Sequence, residues 1–166
     1  RWVSTAAVSA DGDQLYIGGA FNNVNGVRRR KLALLNSDGS TDTGFRADAY
    51  ARVTSVVVSS DGDDVYAGGF FKSINGVARG RLARLDAESG AVDPAFDLPI
   101  TEGIGPNGML KVQQLMITPD DSRLVVAHSG NRVDGLLREA VVVIDTVSNS
   151  VTDWQTDLWT DNLPRV

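Results

Sequence analysis

His128 is the only histidine among 166 residues, and cysteine is absent. A nucleophile activated by imidazole would have to use this one side chain. No serine stands in the Gly-x-Ser-x-Gly elbow that presents such a nucleophile. His128 lies in an apolar run where related segments of the chain carry Gly-Gly. A tolerated substitution inside a strand is therefore a simpler reading than a catalytic base, and no catalytic residue is assigned. Carboxylates are more plentiful. Asp11-Gly12-Asp13, Asp61-Gly62-Asp63-Asp64 and Asp38-Gly39-Ser40-Thr41-Asp42 offer the hard oxygens that calcium takes, but none completes a loop with a terminal bidentate glutamate. Asp-Gly is also the dipeptide of an ordinary tight turn. Turn chemistry is expected at these sites. Asp11, Asp13, Asp61 and Asp63 stay open as weak calcium ligands, and no other cofactor is implied.

Cations cluster at Arg28-Arg29-Arg30-Lys31 and, more thinly, at Ala78-Arg79-Gly80-Arg81. Their alternation along a strand reads as a solvated edge. No aromatics interleave with them, as a single-stranded nucleic-acid site would require, and the net charge of −5 argues against a surface built for nucleic acid. Phosphate-binding glycine motifs are absent, and no run approaches the ~18 apolar residues of a membrane span. Trp2, Trp154 and Trp159 offer flat faces to a sugar ring, although Trp154 is better explained by packing.

The elements that would position these groups repeat. Residues 53–85 restate residues 3–35 at a fixed offset of 50: Val3 becomes Val53, Gly12 becomes Gly62, Gly19 becomes Gly69 and Leu32 becomes Leu82. A looser copy begins at Val112, and Leu163-Pro164-Arg165-Val166 looks like the lead-in to another. The repeats are set at 3–52, 53–111 and 112–165. Self-similarity at this period means stacked supersecondary units. In the second copy, Val53 to Val58 reads as a first strand and Val65 to Phe71 as a second. Asn75-Gly76 makes a tight reversal, Gly80 to Asp86 a third strand, and Ala91 to Phe96 a fourth at the outer edge, where Pro94 costs no ladder bond. Four short antiparallel strands with apolar residues on both faces describe a β-propeller blade. The glycine pairs at 18–19 and 68–69 sit inside the second strand. Close approach of an aromatic such as Phe21 or Phe71 from a neighbouring blade explains them, and so does a β-bulge.

The order Tyr16, Gly18, Gly19, Phe21, Asn25, Gly26, Val27, Arg29, Leu32, Ala33, Leu35, Asp38, Gly39, Ser40, Asp42 and Phe45 resembles the delta-60 repeat β-propeller family, and the second copy repeats nearly all of it. The third departs, with Ala127-His128 for Gly-Gly, Gly130 for Phe, and Trp154 near the last Phe. The resemblance implies an all-β propeller of four-stranded blades, a secreted or surface setting in bacteria, and no catalytic activity.

About three blades are present, whereas closed propellers have ~4–8. Two apolar blade faces are thus left bare, and further blades are expected from the same polypeptide, from a second copy closing a six-bladed ring, or from another chain. The same repeat phase at both ends favours the first. Alternating strand direction sorts loops to two rims. One collects Asp11, Asp61, Glu88 and Asp120; the other collects Arg29, Lys72, Arg79, Arg132 and Arg138. The second rim also carries the one large insertion, because Val53 to Val112 spans 59 residues and the excess falls in Asp97–Gly108. Loops on a rigid scaffold usually hold the binding site. Arg29, Lys72, Arg79 and Arg132, with Thr101, Glu102 and Asn107 of the insertion, are therefore the candidate ligand residues. The preferred function is a non-enzymatic extracellular scaffold or recognition module for a protein or glycan. The alternative is a polysaccharide hydrolase or lyase using carboxylates at the channel mouth.

Overall fold

Each repeat opens with a β-branched or apolar strand that ends in the same side-chain-locked turn. The computed structural model describes residues 1–103 and 109–155. Blade one holds β1 (Val3–Val8), β2 (Leu15–Gly19), β3 (Asn23–Val24), β4 (Val27–Arg28) and β5 (Leu32–Leu35). Blade two holds β6 (Val53–Val58), β7 (Asp64–Gly69), β8 (Ser73–Ile74), β9 (Val77–Ala78) and β10 (Leu82–Asp86). After β11 (Ile100–Gly103), blade three holds β12 (Val112–Ile117), β13 (Arg123–His128), β14 (Gly130–Val133), β15 (Leu136–Leu137), β16 (Val141–Asp145) and β17 (Ser150–Val151). The three first strands have the expected bounds. Between first and second strands, the Ser59 hydroxyl donates to Asp61 Oδ1 at 2.6 Å and the Asp63 N–H to the same oxygen at 3.0 Å. Ser9 with Asp11, and Thr118 with Asp120, build the same turn.

Second and third strands are joined by small hairpins, β3–β4, β8–β9 and β14–β15. Their tips are Asn25-Gly26, Asn75-Gly76 and Asp134-Gly135, all at positive φ. A two-residue turn of this hand needs positive φ at both centres, which asparagine, aspartate and glycine tolerate best. The fourth strand is shorter than expected. Blades one and two reduce it to single bridges, Leu35 to Thr41 and Leu85 to Val92, and only blade three forms β17. Asp93 bends the chain away, its Oδ1 accepting the Ala95 N–H at 2.8 Å, and Pro94 has no N–H to pair.

The first strands lie side by side at the centre. Thr5 Oγ1 accepts from the Val56 N–H (3.3 Å), and Ser55 Oγ accepts from the Leu115 N–H (2.9 Å). One core fills the space between blades one and two, with Tyr16, Leu34 and Phe45 against Val56, Val65 and Phe71. A second fills the space between blades two and three, with Tyr66, Leu82 and Phe96 against Leu115, Val126 and Ile144. Tyr16–Phe45 and Tyr66–Phe96 make equivalent edge-to-face pairs at 5.4 and 5.5 Å. Trp154 does not take a matching place. Thr152 stands in the register of Asp42 and Asp93, so Gln155 falls where the phenylalanines lie and Trp154 is left half exposed.

The two glycines of each pair have separate causes. A Cβ on Gly68 would meet Val112 Cγ1 at 2.4 Å, and one on Gly18 would meet Val53 Cγ1 at 2.7 Å. The approach from the neighbouring blade is thus real, but it comes from a first-strand valine and not from an aromatic. A Cβ on Gly69 would strike the Arg52 carbonyl oxygen at 2.2 Å, beside the register shift between Val53 and Ser55. The second glycine accommodates a bulge in its own blade. Val53 and Val112 are fully buried by this packing, whereas Val3, their equivalent, is 54% exposed.

Candidate binding surface

Three arginines at one repeat position turn inward instead of toward a ligand. Arg29, Arg79 and Arg138 each donate through Nη1 to the preceding residue's carbonyl and through Nη2 to a carbonyl at the start of the outer segment, Asp42, Asp93 or Thr152. Arg29 is 2% exposed and Arg79 6%. Their expected role as ligand residues is therefore corrected. Both are internal clamps that tie the small hairpin to the outer edge of the blade. Alternation along Arg28-Arg29-Arg30 is what sequence shows, but the buried member is the middle arginine, because orphan carbonyls at the blade corner draw it in. Lys72 is exposed at the base of its hairpin.

The insertion brings three of the other candidates together. β11 pairs with β14, placing Thr101 opposite Arg132 and Ile100 opposite Val133. Arg132 Nε donates to Glu102 Oε2 at 3.1 Å, and Arg132 Nη1 to the Gly135 carbonyl at 2.9 Å. Glu102 sits at φ 53, an uncommon conformation for a non-glycine residue. The corresponding connector between blades one and two reaches its hairpin through a single bridge, Ala49 to Ile74. The longer connector thus adds a strand to the rim of blade three. Asn107 lies outside the described residues.

On the opposite rim the aspartates serve the turns. Asp11 and Asp61 have their pKa values lowered, chiefly by the serine hydroxyl each accepts from, and Asp120 is lowered to about 2 by Thr118 and Ser122. Asp13 and Asp63 supply the turn N–H groups. Among the described residues, no three acidic, histidine or cysteine side chains converge as metal ligands. Asp64 is different: burial raises its pKa, partly offset by Arg84 at 3.9 Å.

A constellation that sequence reading missed lies where the connectors reach the first strands. Arg52 stands with its Cζ 6.0 Å from the Trp2 ring and 4.5 Å from the Phe70 ring, and Lys111 Nζ lies 5.6 Å from Phe70. Trp2, Arg52 and Lys111 each directly precede the first strand of their repeat. That shared position was legible. Phe70, directly after the second strand of blade two, was not assignable to it without coordinates.

Residues 13–45 and 63–96 match the family model described as "Domain of unknown function (DUF5122) beta-propeller", a family of the delta-60 repeat type. The chain's first two repeats are similar to that family's propeller repeats. Solved structures agree on the fold. "Crystal structure of RRP9 WD40 repeats" superposes with a TM-score of 0.56 at 14% identity, covering 91% of this chain and 37% of that one. "Structure of U3-55K" gives 0.56 and 14%, covering 91% and 38%. The chain thus spans under two fifths of the propellers it resembles. No curated protein matches it in sequence. A propeller of this kind is a binding or scaffold architecture in general.

The third repeat falls outside both matched segments. It replaces the tight Gly-Gly packing with Ala127-His128. His128 is 3% exposed; its Nδ1 accepts the Gly130 N–H at 3.1 Å, while Nε2 has no partner among the described residues. Burial pushes its pKa down to about 4, so the ring is neutral near pH 7. With Gln113, Ala127, Glu139 and Val141 it lines an open cavity of about 580 Å³ in blade three. No helix is long and apolar enough to cross a membrane among the described residues.

Proposed function

We propose that the chain is a non-enzymatic recognition or scaffold module, working outside the cell or on a bacterial surface. It binds a protein or glycan through the connector rim. Further blades, from the same polypeptide or another chain, cover the faces that carry Val3 and Met116. The observation that supports this reading best is the added strand Ile100–Gly103, which sets exposed Thr101 and Glu102 beside Arg132 on a rigid sheet edge. Binding groups on loops and edges of a stiff scaffold lose little entropy on engagement. The extracellular setting is drawn from the family resemblance of the repeats.

The lowered pKa values of Asp11, Asp61 and Asp120 fit turn locks and suit general acids poorly, since a catalytic acid must hold its proton near neutral pH. The test is a glycan array and a panel of surface proteins presented to the chain and to its Thr101→Ala, Glu102→Ala, Arg132→Ala triple variant. Retained binding in the triple variant would remove the rim assignment. Failure of the unaltered chain to bind any probe would remove the recognition role.

A further inference from the structure

The strongest unassigned feature is the row Trp2, Arg52, Phe70 and Lys111. Its position is set by the backbone of every repeat: Ala20, Phe70 and Ser129 donate their N–H groups to the carbonyls of Trp2, Arg52 and Lys111 at 2.8–3.0 Å. First strands are innermost, so the residue preceding each one stands at the mouth of the central channel, on the connector rim. Successive blades therefore present Trp2, Arg52 and Lys111 in sequence around that mouth.

Two cations gather around one ring here. Acidic residues outnumber Lys and Arg by 21 to 16. Arg79, Arg84, Arg123 and Arg132 each find a carboxylate partner. Among the described residues Arg52 and Lys111 find none, although both flank one ring, Phe70. Arg81 adds a third cation close by, its Nε and Nη1 directed to the carbonyls of Leu110 and Ile100 at 3.3 and 3.4 Å. Two like charges within 6 Å of one aromatic ring, without a carboxylate partner among the described residues, make a preorganised anion site.

We propose that this row is a subsite for an acidic polysaccharide, with Arg52 and Lys111 pairing to uronate carboxylates and the Trp2 ring stacking on a sugar face. A carboxylate alone would need only the cations. The exposed indole, and the recurrence of the position from blade to blade, match a ligand that repeats both an apolar C–H face and a carboxylate along its length. The proposal rests on the reading that the connector rim is the binding rim, and it narrows the ligand.

The test is calorimetric titration of the full chain with oligogalacturonate, beside an uncharged galactose oligomer and poly-glutamate. Oligogalacturonate should bind, more weakly as salt rises, and the uncharged oligomer should not. Arg52→Gln with Lys111→Gln should lower the affinity at least tenfold, and Trp2→Ala, at an exposed position, severalfold. Arg28→Gln with Arg30→Gln, on the same rim but outside the row, should leave it within twofold. Unchanged affinity in the Trp2→Ala variant or in a folded Arg52/Lys111 variant would overturn the proposal. So would poly-glutamate binding as tightly as the sugar acid, which would mark a general polyanion patch. If oligogalacturonate fails while other glycans bind and respond to Thr101, Glu102 and Arg132, the subsite falls and the rim reading stands. If nothing binds, both fall.

Discussion

Val112 of blade three presses its Cγ1 into the place where Gly68 of blade two lacks a side chain, 2.4 Å from where a Cβ would stand. The junction between blades depends on that missing methyl group. Gly68→Ala should therefore destabilise the chain by about 1–3 kcal/mol, the usual range for overpacking a core. Adding Val112→Ala should recover part of the loss, because the two sites share one contact and their effects will not add. Urea unfolding of both single variants and the double variant measures the coupling.

Arg79 supports a second expectation, opposite to that of a ligand-binding arginine. Its removal leaves the carbonyls of Ala78 and Asp93 without their donors, at about 1–3 kcal/mol for each buried group left unsatisfied. Arg79→Ala should lower the melting temperature by several degrees, and Lys72→Ala, fully outside the clamp, by almost nothing. Equal effects would show that the clamp carries no load.

The glycine pair shows how far sequence alone reached. Periodicity of the valines and the Asp-Gly and Asn-Gly turns located the blades, and the three first strands fall where those residues placed them. Both explanations offered for Gly-Gly contained part of the answer, one for each glycine. What periodicity could not supply was direction. Arg29 and Arg79 look like surface cations in a list of residues, and only the unpaired carbonyls at the blade corner show why they fold inward. The outer strand was overread because Asp93 and Pro94 act through one carboxylate bond and one missing N–H, which leave no trace in apolar patterning. Arg52, Phe70 and Lys111 come from separate copies, so only the stacking of blades brings them together.

His128 gives a pH dependence with a definite sign. Its pKa is about 4 in the folded chain against 6.5 for the free side chain, so the unfolded state binds more protons between those values. Stability should be undiminished above pH 6.5 and fall as pH drops toward 4, by roughly 3 kcal/mol at ~1.4 kcal/mol per unit. His128→Gln should flatten that window in thermal melts. The turn aspartates, whose pKa values are lowered, lose their contribution only below about pH 4, which separates the two effects.

Val3 and Val8 on blade one and Met116 on blade three are largely exposed where internal blades bury the equivalents of Val3. Residues 1–166 alone should therefore self-associate, since each apolar side chain removed from water contributes ~1.5–3 kcal/mol. Light scattering should show dimers or larger species, and Val3→Lys with Met116→Lys should restore the monomer. A sharp-melting monomer of the unaltered chain would mean that these faces are stable in water.

The most direct test of a recognition role without catalysis is to incubate the full chain with each glycan it retains on an array and to examine the recovered sugar by mass spectrometry. Intact sugar, retained by the unaltered chain and released when Thr101, Glu102 and Arg132 are replaced by alanine, is the expected result. Shortened or unsaturated products accumulating with time would contradict it and establish a polysaccharide-cleaving enzyme instead.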